Sequence, residues 1–252
     1  MQIISGKARG VILDTVDTFD IRPTSARARK ALFDSLGSFE EAIILDLCAG
    51  SGAMGLEAAS RGAAIVYSVE KDARHVQVIE KNIRKVQKTG VETTFNTIHS
   101  DILNMKKIAS QIDEVDLIFA DPPYDISAEL FSALVEDKNF LQLAENSLIV
   151  WEIPDIPGSV GQFINKKEIF SSFNFRKFGS TVFFNCGIIE EVVLQCWQKQ
   201  FALRLSALKH LKLKSKSMFA EEVLLIQPFS PTWEILPLWA CLIWRSERVG
   251  NV

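Results

Sequence analysis

The chain has 252 residues, 48% hydrophobic and 23% charged, with a formal net charge of −3 at pH 7. That length supports one large domain with ample core, or one domain and an appendage, and the composition is ordinary for a soluble protein. No apolar run reaches the roughly 18 residues needed to span a bilayer, and the slight negative charge neither announces a nucleic-acid binder nor excludes one with a local basic face.

The N-terminus, MQIISGKARG, has no secretory apolar region. Cys48, Cys186, Cys196 and Cys241 form no C-x-x-C pair and no metal spacing, so they read as buried free thiols of a cytoplasmic protein. Residues 1 to about 40 read as an extension ahead of the sheet, with Gln2–Ile4 and Gly10–Leu13 as short strands around the turn Ser5-Gly6-Lys7. A helix follows, capped by Thr24 or Ser25, with Ala28, Ala31, Leu32 and Leu36 as its apolar stripe. Arg27, Arg29 and Lys30 fall largely off that stripe. Residues 1–30 carry six positive charges (Lys7, Arg9, Arg22, Arg27, Arg29, Lys30) against Asp14, Asp17 and Asp20. This local excess is either a solvated face or a set of phosphate contacts to a nucleic acid.

The segment IILDLCAGSGAMGLEAA at 43–59 organises the chain. A continuous apolar run suits a strand buried on both faces, a glycine-rich turn follows, and the next residues favour helix. Gly50 and Gly52 allow a sharp turn and a close approach to a ligand. Gly50, Gly52 and Gly55 satisfy G-x-G-x-x-G, which in dinucleotide enzymes sets a pyrophosphate on a helix N-terminus. Asp46, at the strand end, would repel that pyrophosphate and attract an ammonium, which favours S-adenosylmethionine over NAD.

A second strand, Ala64–Val69, ends in Glu70, 20 residues past Gly50, the spacing at which a carboxylate binds ribose hydroxyls. The helix over 72–88 buries Val76, Ile79, Ile83 and Val86, and His75 reads as a surface residue. A third strand, Thr93–Ile98, leads to Asp101, which suits either the adenine amine or a helix cap. Val115–Ala120 forms a fourth buried strand that stops in Asp121-Pro122-Pro123-Tyr124. The prolines fix φ and remove two donors, so a carboxylate, backbone carbonyls and an aromatic plate meet at the sheet edge. That set suits a planar group bearing an NH2, such as an extruded nucleobase.

Phe131–Phe140 is expected to be helical, Asn146–Glu152 a fifth strand, and residues 167–189 a closing antiparallel pair. From Val192 to Ala220 there are no acids and six basic residues, Lys199, Arg204, Lys209, Lys212, Lys214 and Lys216. That run suits a solvated helix face better than added RNA affinity, and the apolar stretch Trp233–Trp244 has no assigned role.

With these residues in hand, the chain resembles the bacterial 16S ribosomal RNA guanine-N2 methyltransferases, the RsmD-like family. The match rests on ISGKARG near the N-terminus, R-P-T-x-x-R-x-R-x-A-L-F at 22–33, LDLCAGSG at 45–52 and DPPY at 121–124. It covers about residues 1–188. The resemblance implies an α/β fold, the class I S-adenosylmethionine-dependent methyltransferase (Rossmann-like) sheet: seven strands, mostly parallel, with an antiparallel hairpin and helices on both faces. Three segments follow: 1–40 covering the cofactor and facing RNA, 41–189 the methyltransferase domain, and 190–252 a C-terminal extension. By position, Asp46, Gly50 and Gly52 border the methionine part of S-adenosylmethionine, Glu70 the ribose and Asp101 the adenine. Arg22 and Thr24 belong to the segment over the cofactor, with Arg27 and Arg29 nearer the RNA. Asp121, Pro122 and Tyr124 form the target-base site, and no metal is implied. Lys30 departs from the glutamate expected there. The implied partner of this monomer is 16S RNA in the 30S subunit or an assembly intermediate. DNA adenine-N6 methylation, protein-glutamine methylation and a non-catalytic assembly factor that binds S-adenosylmethionine and RNA remain as alternatives.

Overall fold

Short apolar runs separated by helical segments build an alternating α/β chain. The computed structural model describes residues 1–16, 25–164, 167–178 and 181–188. After an N-terminal segment come α1 (Ala26–Leu36), β1 (Ile43–Leu47), α2 (Ala53–Ser60), β2 (Ile65–Glu70), α3 (Ala73–Gln87) and β3 (Thr94–His99). Then follow α4 (Met105–Ala109), β4 (Leu117–Ala120), α5 (Ser127–Leu134), α6 (Lys138–Leu143), β5 (Leu148–Pro154), α7 (Ser159–Ile164), a 3-10 turn (Lys167–Ile169), β6 (Phe170–Phe178) and β7 (Thr181–Ile188).

The seven strands form one sheet in the order β3-β2-β1-β4-β5-β7-β6. β1 pairs in parallel with β2 and β4, β2 with β3, and β4 with β5. β7 runs antiparallel to both β5 and β6. This is the sheet that the resemblance implies. Its order reverses between β1 and β4, so the carboxyl ends of these strands border a crevice.

Alternate residues of the buried strands feed two cores, as the period of two requires. Leu45, Leu47, Val69, Ile118, Ala120 and Trp151 join one, with residues of α4–α7. Ile44, Val66, Phe119 and Val150 join the other, with the N-terminal segment, α1 and α2. The expected single helix over 131–140 is two helices: the Asp137 side chain accepts from the Asn139 and Phe140 backbone amides and restarts the chain as α6. Among the described residues no helix is long and apolar enough to cross a membrane. The basic run and apolar stretch of the tail, Cys196 and Cys241, and Arg22 and Thr24 lie outside the described residues.

The N-terminal segment is a strap built into the second core. Gln2 and Ile12 form an antiparallel bridge, and Ile3, Ala8 and Leu13 are buried. The fully buried Glu57 on α2 accepts from Ile4 N at 2.7 Å, Ser5 N at 3.1 Å and Arg61 Nε at 3.0 Å. Ser60 Oγ accepts from Ala8 N at 2.9 Å, and Ser60 O accepts from Lys7 N at 2.7 Å. Arg61 also pairs with Asp34 and lies 5.1 Å from the centroid of the Phe33 ring. These bonds bring strap backbone so close to α2 that a Cβ at Gly6 (φ +78) would fall 1.7 Å from Ser60 O.

Gly6→Ala should therefore cost at least about 3 kcal/mol, because strain and a backbone clash add. Gly10→Ala, at φ +86 with nothing within 4 Å of the added Cβ, should cost about 1–2 kcal/mol. Urea unfolding of the two variants measures the difference.

Candidate active site

The turn after β1 is compressed. Cys48, Gly50 and Gly52 all have left-handed backbone, at φ +59, +57 and +78. At Gly50 a Cβ would meet only Cys48 O, at 4.0 Å, so that backbone faces open space. At Gly52, which caps α2, it would meet Leu56 and Ile79 at 3.4–3.5 Å, so this glycine serves the turn and faces packed side chains. Gly55 permits the close approach of α2 to the sheet, since a Cβ there would lie 2.7 Å from Val66 Cγ1.

Asp46 lies at the inner wall of this turn and is 2% exposed. Its Oδ2 accepts from Gly55 N at 3.0 Å. Burial, with a smaller push from the Glu70 charge, raises its carboxyl to about 7 against the opposing effect of the Gly55 bond. Glu70 at the end of β2 closes the other side. Its Oε2 accepts from Gly50 N at 2.9 Å, and Oε1 accepts from Lys71 N at 2.8 Å and Asp72 N at 2.9 Å. Three backbone donors thus fix a carboxylate that offers about four acceptor sites. His75, expected on the surface, is instead largely covered, with Nδ1 3.8 Å from Glu70 Oε2. The first turn of α3 carries it back over the end of β2. Asp101 is exposed beyond β3, and its Oδ1 accepts from Leu103 N at 2.9 Å.

β4 ends against this pair of acids. The Cys48 thiol is pushed up by burial and then by the charges of Glu70, Asp46 and Asp121. All three acids therefore lie near Cys48 at the carboxyl edge of the sheet. Pro122 is buried and Asp121 half-buried. The Tyr124 ring is 45% exposed and its hydroxyl donates to Glu152 Oε1 at 2.8 Å. Glu152 on β5 is buried, and next to it Trp151 Nε1 donates to Ser127 Oγ at 2.8 Å. Among the described residues no cluster of His, Cys, Asp and Glu is suited to a metal ion.

Arg29 departs from its expected position near RNA. It is 1% exposed: Nη2 donates to Gln2 O at 2.7 Å and Nη1 approaches Met1 Sδ at 2.9 Å. Desolvation lowers its pKa, opposed by the Glu57 charge. The strap folds over the helix face that periodicity assigns to solvent. Arg27 on the same helix is exposed, and Lys30 forms an ion pair with Asp34 one turn on.

Two contributors escaped the sequence reading. Glu152 is separated from Tyr124 by 28 residues, and only the pairing of β4 with β5 joins them. Buried Asn82 accepts from Asp14 N at 2.8 Å and donates to Asp14 O at 2.9 Å and Ser51 O at 3.0 Å. It ties the strap to the glycine loop. An asparagine inside a helix carries no such signal, whereas an acid closing an apolar strand, as in IVWE, could have flagged Glu152.

Comparisons with known proteins agree with this architecture. The family model described as conserved hypothetical protein 95 matches residues 1–184. The YlbH protein of Bacillus subtilis (strain 168) is 29% identical over 175 residues, covering 68% of this chain and 94% of its own. Ribosomal RNA small subunit methyltransferase D of Escherichia coli (strain K12) is 34% identical over 168 residues, covering 63% and 80%. The solved structure of a hypothetical protein from Thermus thermophilus superposes with a TM-score of 0.57 at 29% identity, covering 75% of this chain and 99% of that one.

The Asp46 carboxyl gives a directional prediction. Its folded pKa of about 7 lies above the unfolded value, so between roughly pH 4 and 7 the unfolded chain holds fewer protons and stability falls as pH rises. Asp46→Asn keeps an acceptor for Gly55 N and removes the titration. The variant should already exceed the parent in stability near pH 5, and by a wider margin near pH 8, as read by urea unfolding at both values. An equal difference at the two pH values would contradict the assignment.

Proposed function

The chain belongs to the conserved hypothetical protein 95 family, and we propose that it transfers a methyl group from S-adenosylmethionine to the exocyclic N2 amine of a guanine in 16S ribosomal RNA. The observation that carries this reading is the nearness of Asp121 to the glycine loop, where Asp121, Asp46 and Glu70 all act on Cys48. The name of the Escherichia coli relative, which covers most of its own length in the alignment, supports a small-subunit RNA substrate. The protein would act in the cytoplasm, as a monomer, on the 30S subunit or its precursor.

The residues fit the methyl donor better than a dinucleotide. Three carboxylates act on the loop, a field that opposes a pyrophosphate and favours an ammonium and a sulfonium. Asp46 would receive the ammonium, whose charge draws the proton off a carboxyl poised at about 7. Glu70 retains about one acceptor site beyond its three backbone donors, enough for a ribose hydroxyl. Gly50, whose backbone faces open space, would border the methionine part, Gly52 holds the turn, and Asp101 would stand at the adenine edge. Arg22 and Thr24 would complete the cover. When bound, the donor supplies an electrophilic methyl group.

The protein then has to improve a poor nucleophile, because the guanine N2 lone pair is delocalised into the ring. Asp121 and the Pro122 carbonyl accept the amine hydrogens, favour a pyramidal nitrogen and offset its developing positive charge. Tyr124 stacks on the extruded base and holds it, so much of the rate comes from positioning. The amine proton leaves to water. Arg27, exposed at the start of α1, contacts RNA phosphate, whereas Arg29 secures the strap beneath it.

Label from S-adenosylmethionine should appear as N2-methylguanosine in 30S subunits that lack the modification. Label in N6-methyladenosine would retain the cofactor and move the substrate; binding without transfer to subunits, free RNA or DNA would favour an assembly factor. Asp121→Ala should slow transfer by about 100-fold or more while changing donor affinity by only about threefold. Comparable losses in rate and affinity would remove Asp121 from the role given to it.

A further inference from the structure

Glu152 is a 2% exposed carboxylate on the strand beside the Asp121 loop. An interior position of this kind is ordinarily apolar, since a buried charge needs polar partners. Its Oε1 accepts from the hydroxyl of Tyr124 at 2.8 Å, and Tyr124 is a half-exposed residue of the site itself. Ala120 and Trp151 are register partners on parallel β4 and β5, and both enter one core. Phe119 and Val150, the preceding pair, enter the other. Alternation therefore puts Glu152 on the face of Val150, the same face to which Asp46 and Glu70 belong beside Ile44 and Val66. Asp121 directly follows Ala120, the last residue of β4, and Glu152 directly follows Trp151, its register partner on β5, so the two carboxylates succeed neighbouring positions on adjacent strands.

We infer that Glu152 reads the Watson–Crick edge of the target base and selects guanine by accepting its ring N1–H. This rests on the guanine-N2 reading and adds the choice of base to it. Asp121 alone can accept from any exocyclic amine, so it cannot separate guanine from adenine. Guanine presents N1–H next to its N2 amine, two adjacent donors. Adenine presents an N1 lone pair next to its amine, and a carboxylate repels that lone pair. Two neighbouring carboxylates match the first edge and reject the second. The Tyr124 hydroxyl holds Glu152 in place, coupling the ring that stacks on the base to the group that reads its edge.

The test uses small subunits reconstituted with 16S RNA bearing either guanosine or 2,6-diaminopurine riboside at the modified nucleotide. Diaminopurine keeps the N2 amine, replaces N1–H by a lone pair and carries an amine in place of O6, so methylation is read at N2 alone. The native protein should methylate guanosine at least about tenfold faster, because a site built to accept a hydrogen bond rejects an analogue lacking the donor. Glu152→Gln can still accept from Tyr124 and can donate to the diaminopurine N1, so it should shrink or invert that ratio. A native ratio near one overturns the inference without any variant. So does a ratio that Glu152→Gln leaves unchanged while both rates fall together, which marks a structural residue. In either case transfer to guanosine still stands. No transfer by the native protein to guanosine subunits overturns the guanine-N2 reading as well.

Discussion

The close approach of α2 to the sheet at Gly55 constrains everything around it. No side chain stands between the helix and Val66, so the Gly55 amide reaches the buried Asp46 carboxyl. With the helix this close, the chain must reverse between Leu47 and Ala53. It does so through left-handed backbone at alternate positions, Cys48, Gly50 and Gly52. Two of these are glycines, which adopt that conformation at little cost; Cys48 bears a strain of order 1–3 kcal/mol, as loops at functional sites often do. The turn leaves Gly50 N directed at Glu70, and that bond joins the ends of β1 and β2 into one wall.

Charge serves two unrelated purposes in this protein. At the sheet edge, acids remain where a ligand can use them, and burial leaves Asp46 close to neutral pH. Beneath the strap, Arg29 and Glu57 are buried for architecture. Glu57 satisfies two strap amides and Arg61, while Arg29 anchors Gln2 and keeps a buried Nε without a hydrogen bond. Buried charges of this kind add little net stability. They do fix where the strap lies, because no other position on α1 and α2 supplies the same partners.

The strap also reaches the site by a second route. Asn82 holds Asp14 and Ser51 with one amide group, which ties the end of the strap to the glycine loop. The strap is thereby built into the sheet domain, as its share of the second core already requires.

The strands, their parallel order and the acids that close them are legible in the linear chain. Buried strands read as apolar runs, glycines mark turns that other residues strain to make, and a carboxylate ending such a run is visible in one dimension. Motif spacing also located Asp46, Glu70 and Asp121 at one edge, since parallel strands with right-handed crossovers bring their carboxyl ends together. Which charges face water was settled by the folded arrangement. Arg29 and Arg27 are two residues apart and look alike on a helical wheel, yet the strap covers one of them, and the helix's own period carries no record of a segment 27 residues away. The same holds for Glu152 with Tyr124 and for Asn82 with Asp14. Each pairing is made by elements that meet only after the sheet has formed, and hydrogen bonds between distant residues impose no period on the chain.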